Sequence, residues 1–397
     1  MGFQNTIEPR TPAPSEEALE RPDLMPPTFH YLTDVYFEPG AIRQLPEILD
    51  RLGIKRPLVV TDRGVVAAGI LARMPGLSSA LVFADVDSNP TETNVERGLE
   101  RYHSSACDGL IAVGGGSPID CAKAISVLVT HAPPLECYAF LKGGLERISG
   151  EKPAVVAVPT TAGTGSEVGR GALITFRNGR KWALLSPNLI PQAALCDPLL
   201  TLGLPPWLTA GSGMDAISHC IETFLSPRWN PVSEAIALDG LGRAVKHLRT
   251  AVRDGTNVEA RSEMLLAAVQ GGLTFQKGLG AVHSLSHPLG SLQHRRLHHG
   301  TLNAVMLPHV LRFNAEACPE KMARLAELLR ISSGAVVPDF FASLAHEIGL
   351  PTRLRDLSVP WDEVEAQSQA AFEDHSGATN PKPLSVELCR ELYRLAY

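Results

Sequence analysis

Asp215 and His219 stand four residues apart inside DAISHCIETFL, a run whose apolar spacing is helical. On a helix that spacing puts both side chains on one face, a turn apart, within reach of a single ion. His283 and His287 repeat it further along, and His294, His298, His299 and His309 follow. One carboxylate with three neutral imidazoles is an oxygen and nitrogen donor set that suits Fe(II) or Zn(II), and no cysteine stands where a thiolate ligand would be needed. Against this, an isolated Asp-x-x-x-His pair is more often solvated surface or a satisfied core pair, and His294, Arg295 and Arg296 read equally as a basic surface loop. The Gly and Pro punctuation favours the metal reading. Pro288 restricts His287 and opposes continued helix, so a bend is expected there that returns the later histidines towards His283.

A second set of residues suits an anion. Gly114-Gly115-Gly116-Ser117 follows the apolar run LIAV and precedes the helical run PIDCAKAISVLV, with Pro118 in its first turn. Such a turn aims backbone N–H groups and a helix N-terminus at a phosphate, although glycines there also serve tight packing. Thr160-Thr161-Ala162-Gly163-Thr164-Gly165-Ser166-Glu167 likewise follows a strand-like run. Two such turns at neighbouring strand ends suggest a dinucleotide. Asp62, ending PLVVTD, either accepts hydrogen bonds from the adenosine ribose or caps the next helix.

The elements that must position these residues fall into two halves. PLVVTD (57–62), SALVFADV (79–86), GLIAVGGGS (109–117) and AVVAVPTT (154–161) read as buried strands alternating with helices, which predicts a parallel sheet covered on both faces over residues 29–204. From 205 to 397 helical periods dominate, as in EAIALDGLGRAVKHLRTAV and EKMARLAELLR, and an all-helical unit is expected. The fold class is therefore α/β followed by all-α. Residues 1–28, rich in Pro and Glu without periodicity, read as a mobile arm. With 397 residues and a net charge of −6, the chain has room for two domains and is no polyanion binder. Its seven cysteines, an odd number without C-x-x-C, argue against a disulfide framework. Neither a nucleic-acid nor a membrane partner is expected, and a reducing cytoplasm fits.

Gly114 to Asp120, the turn Thr160 to Glu167, Gly213-Met214-Asp215-Ala216-Ile217-Ser218-His219 and Gly280 to Gly290 (GAVHSLSHPLG) together resemble the iron-containing (group III) alcohol dehydrogenases, in order from about residue 30 to 315. The resemblance implies a Rossmann-like nucleotide-binding domain facing a helical metal-binding domain, the dehydroquinate synthase-like architecture. It implies iron held by Asp215, His219, His283 and His299, with Zn(II) as second choice, and His287 near the nicotinamide as proton relay. His298 competes with His299; the continuation Gly-Thr-Leu-Asn-Ala-Val favours His299. NAD, with NADP possible, would be held by Asp62, Gly114, Gly115, Gly116, Ser117, Asp120, Thr160, Thr161, Thr164 and Lys181. The substrate would be a small alcohol or aldehyde, and the assembly a homodimer or larger. A glycerol dehydrogenase-like zinc enzyme and a dehydroquinate synthase-like lyase are the alternatives. The chain departs from the family pattern at a basic insertion between His287 and His299, and at Gly169-Arg170-Gly171. Arg170, Lys277, Arg295 and Arg296 are placed by this reading near the cleft, where an arginine pairing with a carboxylate would favour a short hydroxy acid or semialdehyde acid. The competing expectation is that Arg170 pairs with Glu167 or points to solvent.

Overall fold

The computed structural model describes residues 33–397 except 78, 79 and 293. The arm expected over 1–28 lies outside the described residues. Strands and helices alternate in the first part: β1 Asp34–Phe37, α1 Leu45–Arg51, β2 Pro57–Val60, α2 Arg63–Ala67, β3 Leu81–Phe83, α3 Glu92–Ser104, β4 Gly109–Gly114, α4 Gly116–Thr130, β5 Val155–Pro159, β6 Gly171–Thr175, β7 Lys181–Leu185 and β8 Ala193–Cys196. Every residue of β4 and β5 is buried, which a strand tolerates only when both sheet faces are covered. Leu58, Val60, Leu110 and Ala112 point into one apolar core, and their neighbours Val59, Ile111 and Val113 into another, as the two-residue repeat of a strand requires.

Six strands form a wholly parallel sheet in the order β1-β8-β5-β4-β2-β3. The chain passes from β2 to β3 on one side and then to β4 on the other. The crevice beyond the C-terminal ends of β2 and β4 is thus a topological switch point, where sheets of this kind bind ligands. Four of the six strands were expected. β1 and β8 were not: DVYF is a half-exposed edge and AALC is short and rich in alanine. The antiparallel hairpin β6-β7 was also unforeseen.

No described strand follows Cys196, and from Pro206 the regular elements are helices: α5 Pro206–Leu225, α6 Pro231–Arg253, α7 Val258–Leu273, α8 Ala281–Gly290, α9 His299–Asn314, α10 Pro319–Leu329, α11 Val337–Glu347, α12 Trp361–Ala366, α13 Ser368–Phe372 and α14 Val386–Ala396. No single described helix is long and apolar enough to cross a membrane. α5 is the axis of this half, buried at every residue from Thr209 to Leu225. Polar groups on such a helix carry a desolvation cost unless they are paired, so Asp215, His219 and Glu222 demand partners.

The bend expected at Pro288 is absent. α8 runs through it to Gly290, since one missing N–H near a helix end removes a single hydrogen bond. The return towards α9 is made instead beyond Gly290, where Arg296 takes a left-handed backbone (φ 51°).

Two close approaches fix the halves and the helices. A Cβ on Gly300 would strike the carbonyl of Gly211, so α9 begins flush against α5, one turn before Asp215. A Cβ on Gly165 would lie 2.5 Å from Cα of Gly272, so the second turn of the α/β half sits backbone to backbone on α7; Gly165 also has φ +62°. Further out, Arg180 of the hairpin pairs with Glu373 of the helical half.

Candidate metal and nucleotide site

Asp215 and His219 project from α5, His283 from α8, and His299 is the first residue of α9. One oxygen, Asp215 Oδ1, lies 3.5 Å from His219 Nε2, 3.6 Å from His283 Nε2 and 3.5 Å from His299 Nε2. Ligands held about 2.1 Å from a tetrahedral ion are separated by about 3.4 Å. The donor atoms of Asp215, His283 and His299 all lie within 4.8 Å of one another, the spacing and chemistry of a divalent metal site, and His219 borders this set through Asp215. Of the two competing histidines, His299 reaches Asp215, whereas His298 turns its Nδ1 back to the Thr301 N–H (3.3 Å) as helix cap and packs edge-on to Trp207.

The rings are aimed from behind. His219 Nδ1–H donates to the Gly163 carbonyl (3.2 Å), and His283 Nδ1 lies 2.6 Å from the Glu222 carboxylate. Each bond leaves Nε2 facing Asp215. Asn303, one turn after His299, donates to Asp215 Oδ1 (2.8 Å) and lies 3.2 Å from Nε2 of both His283 and His299. Its own Oδ1 and His299 Nδ1 are buried without a partner among the described residues, so the amide sits where the ligand lone pairs converge. Burial drives His219 down to about 4 and holds His299 well below the usual imidazole range, keeping the neutral, ligating form. His283 is also pushed down by burial, but Glu222 and Asp215 outweigh this and raise it to about 9. Two carboxylates that favour a proton there equally favour a cation in its place.

His287 stacks on His299 with ring centroids 5.3 Å apart and sets its Nδ1 3.0 Å from Asp374, while its other face stacks on His375 at 6.0 Å. Burial lowers it to about 4, with Asp374 opposing. Sequence reasoning missed Glu222, Asn303, Asp374 and His375. The first two had a signal, since Glu222 is seven residues beyond Asp215 and Asn303 four beyond His299, each on the same helical face. Asp374 lies 87 residues from His287 and had none.

The nucleotide-side residues gather at the switch point. Gly114 has φ +148°, and a Cβ there would lie 2.6 Å from Pro118 and 3.3 Å from Asp62 Oδ2, so only glycine fits between the turn and Asp62. Asp62 caps α2, accepting from Val65 N–H at 2.9 Å, and it also borders the first turn. Gly115 abuts Thr161 and Gly116 abuts Thr164, which joins the two glycine-rich turns; Thr160 N–H donates to the Gly114 carbonyl at 2.9 Å. α4 starts at Gly116 and directs its N-terminal N–H groups into this space. The Ser117 hydroxyl donates to the Ser88 carbonyl (2.6 Å). Lys181, half-buried and lowered by desolvation, donates to Asn89 (2.8 Å) while Asp120, Asp215 and Asp374 pull on its charge. It stands between the turns and the histidine cluster.

Each oxygen of Asp120 accepts a bond from the chain itself, one from the Ser166 hydroxyl (2.5 Å) and one from Leu173 N–H (3.0 Å), which ties the second turn to the hairpin. Several expectations need correction. Lys277 does not face the cleft; it is fully buried, donates to the carbonyls of Thr223, Phe224 and Ser226 at the end of α5, and pairs with Glu234. Arg295 is committed to Glu363 through both nitrogens of its fork, and Arg296 is exposed. Arg170 does not pair with Glu167; it is half-buried, lowered by burial and by Arg228, and has no carboxylate partner among the described residues.

Residues 33–198 match the family model "Iron-containing alcohol dehydrogenase", and residues 209–397 match "Fe-containing alcohol dehydrogenase family, C-terminal". The 4-hydroxybutyrate dehydrogenase of Cupriavidus necator is 49% identical over 368 residues, 90% of this chain and 96% of that protein. The 1,3-propanediol dehydrogenase of Citrobacter freundii is 37% identical over 379 residues, 91% of this chain and 96% of that one. Among solved structures, a 1,3-propanediol oxidoreductase superposes with a TM-score of 0.86 at 36% identity, covering 94% of this chain and all (100%) of that one. The sulfoacetaldehyde reductase from Bifidobacterium kashiwanohense in complex with NAD+ superposes with a TM-score of 0.84 at 27% identity, covering 94% and 99%. Matched over both halves by sequence and fold, the chain belongs to the iron-containing alcohol dehydrogenase family and interconverts alcohols with aldehydes.

Proposed function

We propose that this enzyme moves hydride between NAD(H) and a short ω-hydroxy acid with its semialdehyde, 4-hydroxybutyrate being the favoured substrate. The nucleotide lies on residues 29–204 and Fe(II) on residues 205–397. The observation that carries the reaction type is the single oxygen of Asp215 at 3.5 to 3.6 Å from three imidazole nitrogens. A divalent cation in that set acts as a Lewis acid that acidifies an alcohol and polarises an aldehyde.

The chain's own residues do the rest. Asp215, His219, His283 and His299 hold the ion, oriented by Gly163, Glu222 and Asn303. The glycine turns bind the pyrophosphate through backbone N–H groups, Asp62 receives the ribose hydroxyls, and Lys181 reaches from the turns towards the reacting centre. His287, fixed by Asp374, carries the alcohol proton away. The substrate class rests on the relative that acts on 4-hydroxybutyrate, and Arg170, half-buried without a carboxylate partner, is the residue offered to the substrate carboxylate.

The test is a turnover screen of iron-reconstituted protein with NAD+ and NADP+ across 4-hydroxybutyrate, 1,3-propanediol and butanol. A kcat/KM for 4-hydroxybutyrate at least tenfold above the others supports the reading; preference for an uncharged alcohol overturns the substrate class and leaves the reaction type standing.

A further inference from the structure

A cavity of about 570 Å³ opens between α9, α11 and α14. It lies on the face of α9 opposite His299 and Asn303, since Val305 and Pro308 of its floor are about half a turn around the helix from them. Arg312, Arg353, Arg355 and Arg394 line it, and no aspartate or glutamate does. Arg312 and Arg394 are partly neutralised from outside by Asp339 and Glu391. Arg353 and Arg355 have no carboxylate partner among the described residues. Between them the floor is apolar, built from the buried Ala304, Val305 and Pro308, with the exposed Leu395 beside it.

The four guanidinium groups, all exposed, gather positive charge around one space, which attracts an anion. Their planar forks suit carboxylate and phosphate oxygens. The volume falls within the range of sites for small organic molecules, and the apolar floor gives such a molecule a hydrocarbon surface to lie on. We propose that this cavity binds an organic anion, a carboxylate or phosphate group on a short apolar body, separately from the catalytic centre.

The experiment is calorimetric titration of the metal-loaded enzyme, with the nucleotide site filled by saturating NAD+, using hexanoate, phenyl phosphate and inorganic phosphate as probes. The double variant Arg353→Ala/Arg355→Ala is titrated in parallel; both residues are exposed, so fold and turnover are expected to be retained. The expected result is one-to-one binding of hexanoate or phenyl phosphate at least tenfold tighter than inorganic phosphate, weakened at least tenfold in the variant; the tighter of the two organic probes identifies the head group. Organic anions that bind no better than inorganic phosphate, or whose binding survives the double substitution, would overturn the proposal.

Discussion

The Glu222 carboxylate meets Nδ1 of His283 at 2.6 Å in a fully buried setting, and its other oxygen accepts the N–H of Val282 at 2.6 Å. One side chain therefore fixes both the ring of a ligand and the start of the helix that carries it. Glu222→Gln keeps the shape and removes the charge. Metal affinity should fall about 10- to 100-fold, read as metal retained after dialysis against a chelator, with nucleotide binding unchanged. Undiminished retention would reduce Glu222 to a packing residue.

His219→Ala removes a ligand without touching the glycine turns. Bound metal and turnover should be lost while NADH still binds, as followed by fluorescence. Full turnover in the metal-free variant would end the metal-dependent reading.

Asp62 borders the first glycine turn, where a 2′-phosphate would meet a like charge. The enzyme should prefer NAD+ to NADP+, and Asp62→Gly should narrow the kcat/KM ratio at least tenfold while costing part of the cap on α2. A wild-type preference for NADP+ would leave Asp62 as a cap alone.

Burial, helped by Asp120 and only partly offset by Lys123, raises Glu167 to about 7 from an unfolded value near 4.5. A raised folded value means the native state binds the extra proton, so this contribution to stability is complete below about pH 4.5 and is lost as pH rises through about 7. Unfolding free energy should fall across that window by up to about 3 kcal/mol from this group, and Glu167→Gln should flatten the fall. An equal change in unfolding free energy between pH 5 and pH 8 for the wild type and Glu167→Gln would show that Glu167 contributes nothing to it.

Arg170→Ala should raise KM for 4-hydroxybutyrate at least tenfold and leave KM for butanol nearly unchanged. Equal effects on both would detach Arg170 from the substrate carboxylate and leave it as a neighbour of Arg228.

The ligand candidates were legible because helical spacing is a local property: Asp215 and His219 declare a shared face, and the His299-Gly300 step needs a glycine to bring α9 against α5. The parallel sheet was legible for a similar reason, its central strands being apolar on both faces. What failed was whatever depends on the far side of a contact. Lys277 looks like a cleft charge until the carbonyls at the end of α5 are seen around it. The bond from Leu173 to Asp120 comes from a hairpin no local pattern announced. Asp374 and His375 enter the site by tertiary folding alone.

The seam between Gly165 and Gly272 makes the cleft floor a fulcrum. Two backbones in direct contact leave no side chain to slide or repack, so any rocking of the α/β half against the helical half must turn about that point. The lip where Arg180 holds Glu373 is then the free end of the lever. A small rotation would move Lys181 and the first glycine turn relative to His287, while His219, tethered to Gly163 two residues from the pivot, would barely shift. The metal cage would stay rigid while the nucleotide swings, and a bulky residue at position 272 would jam the hinge without touching a single ligand.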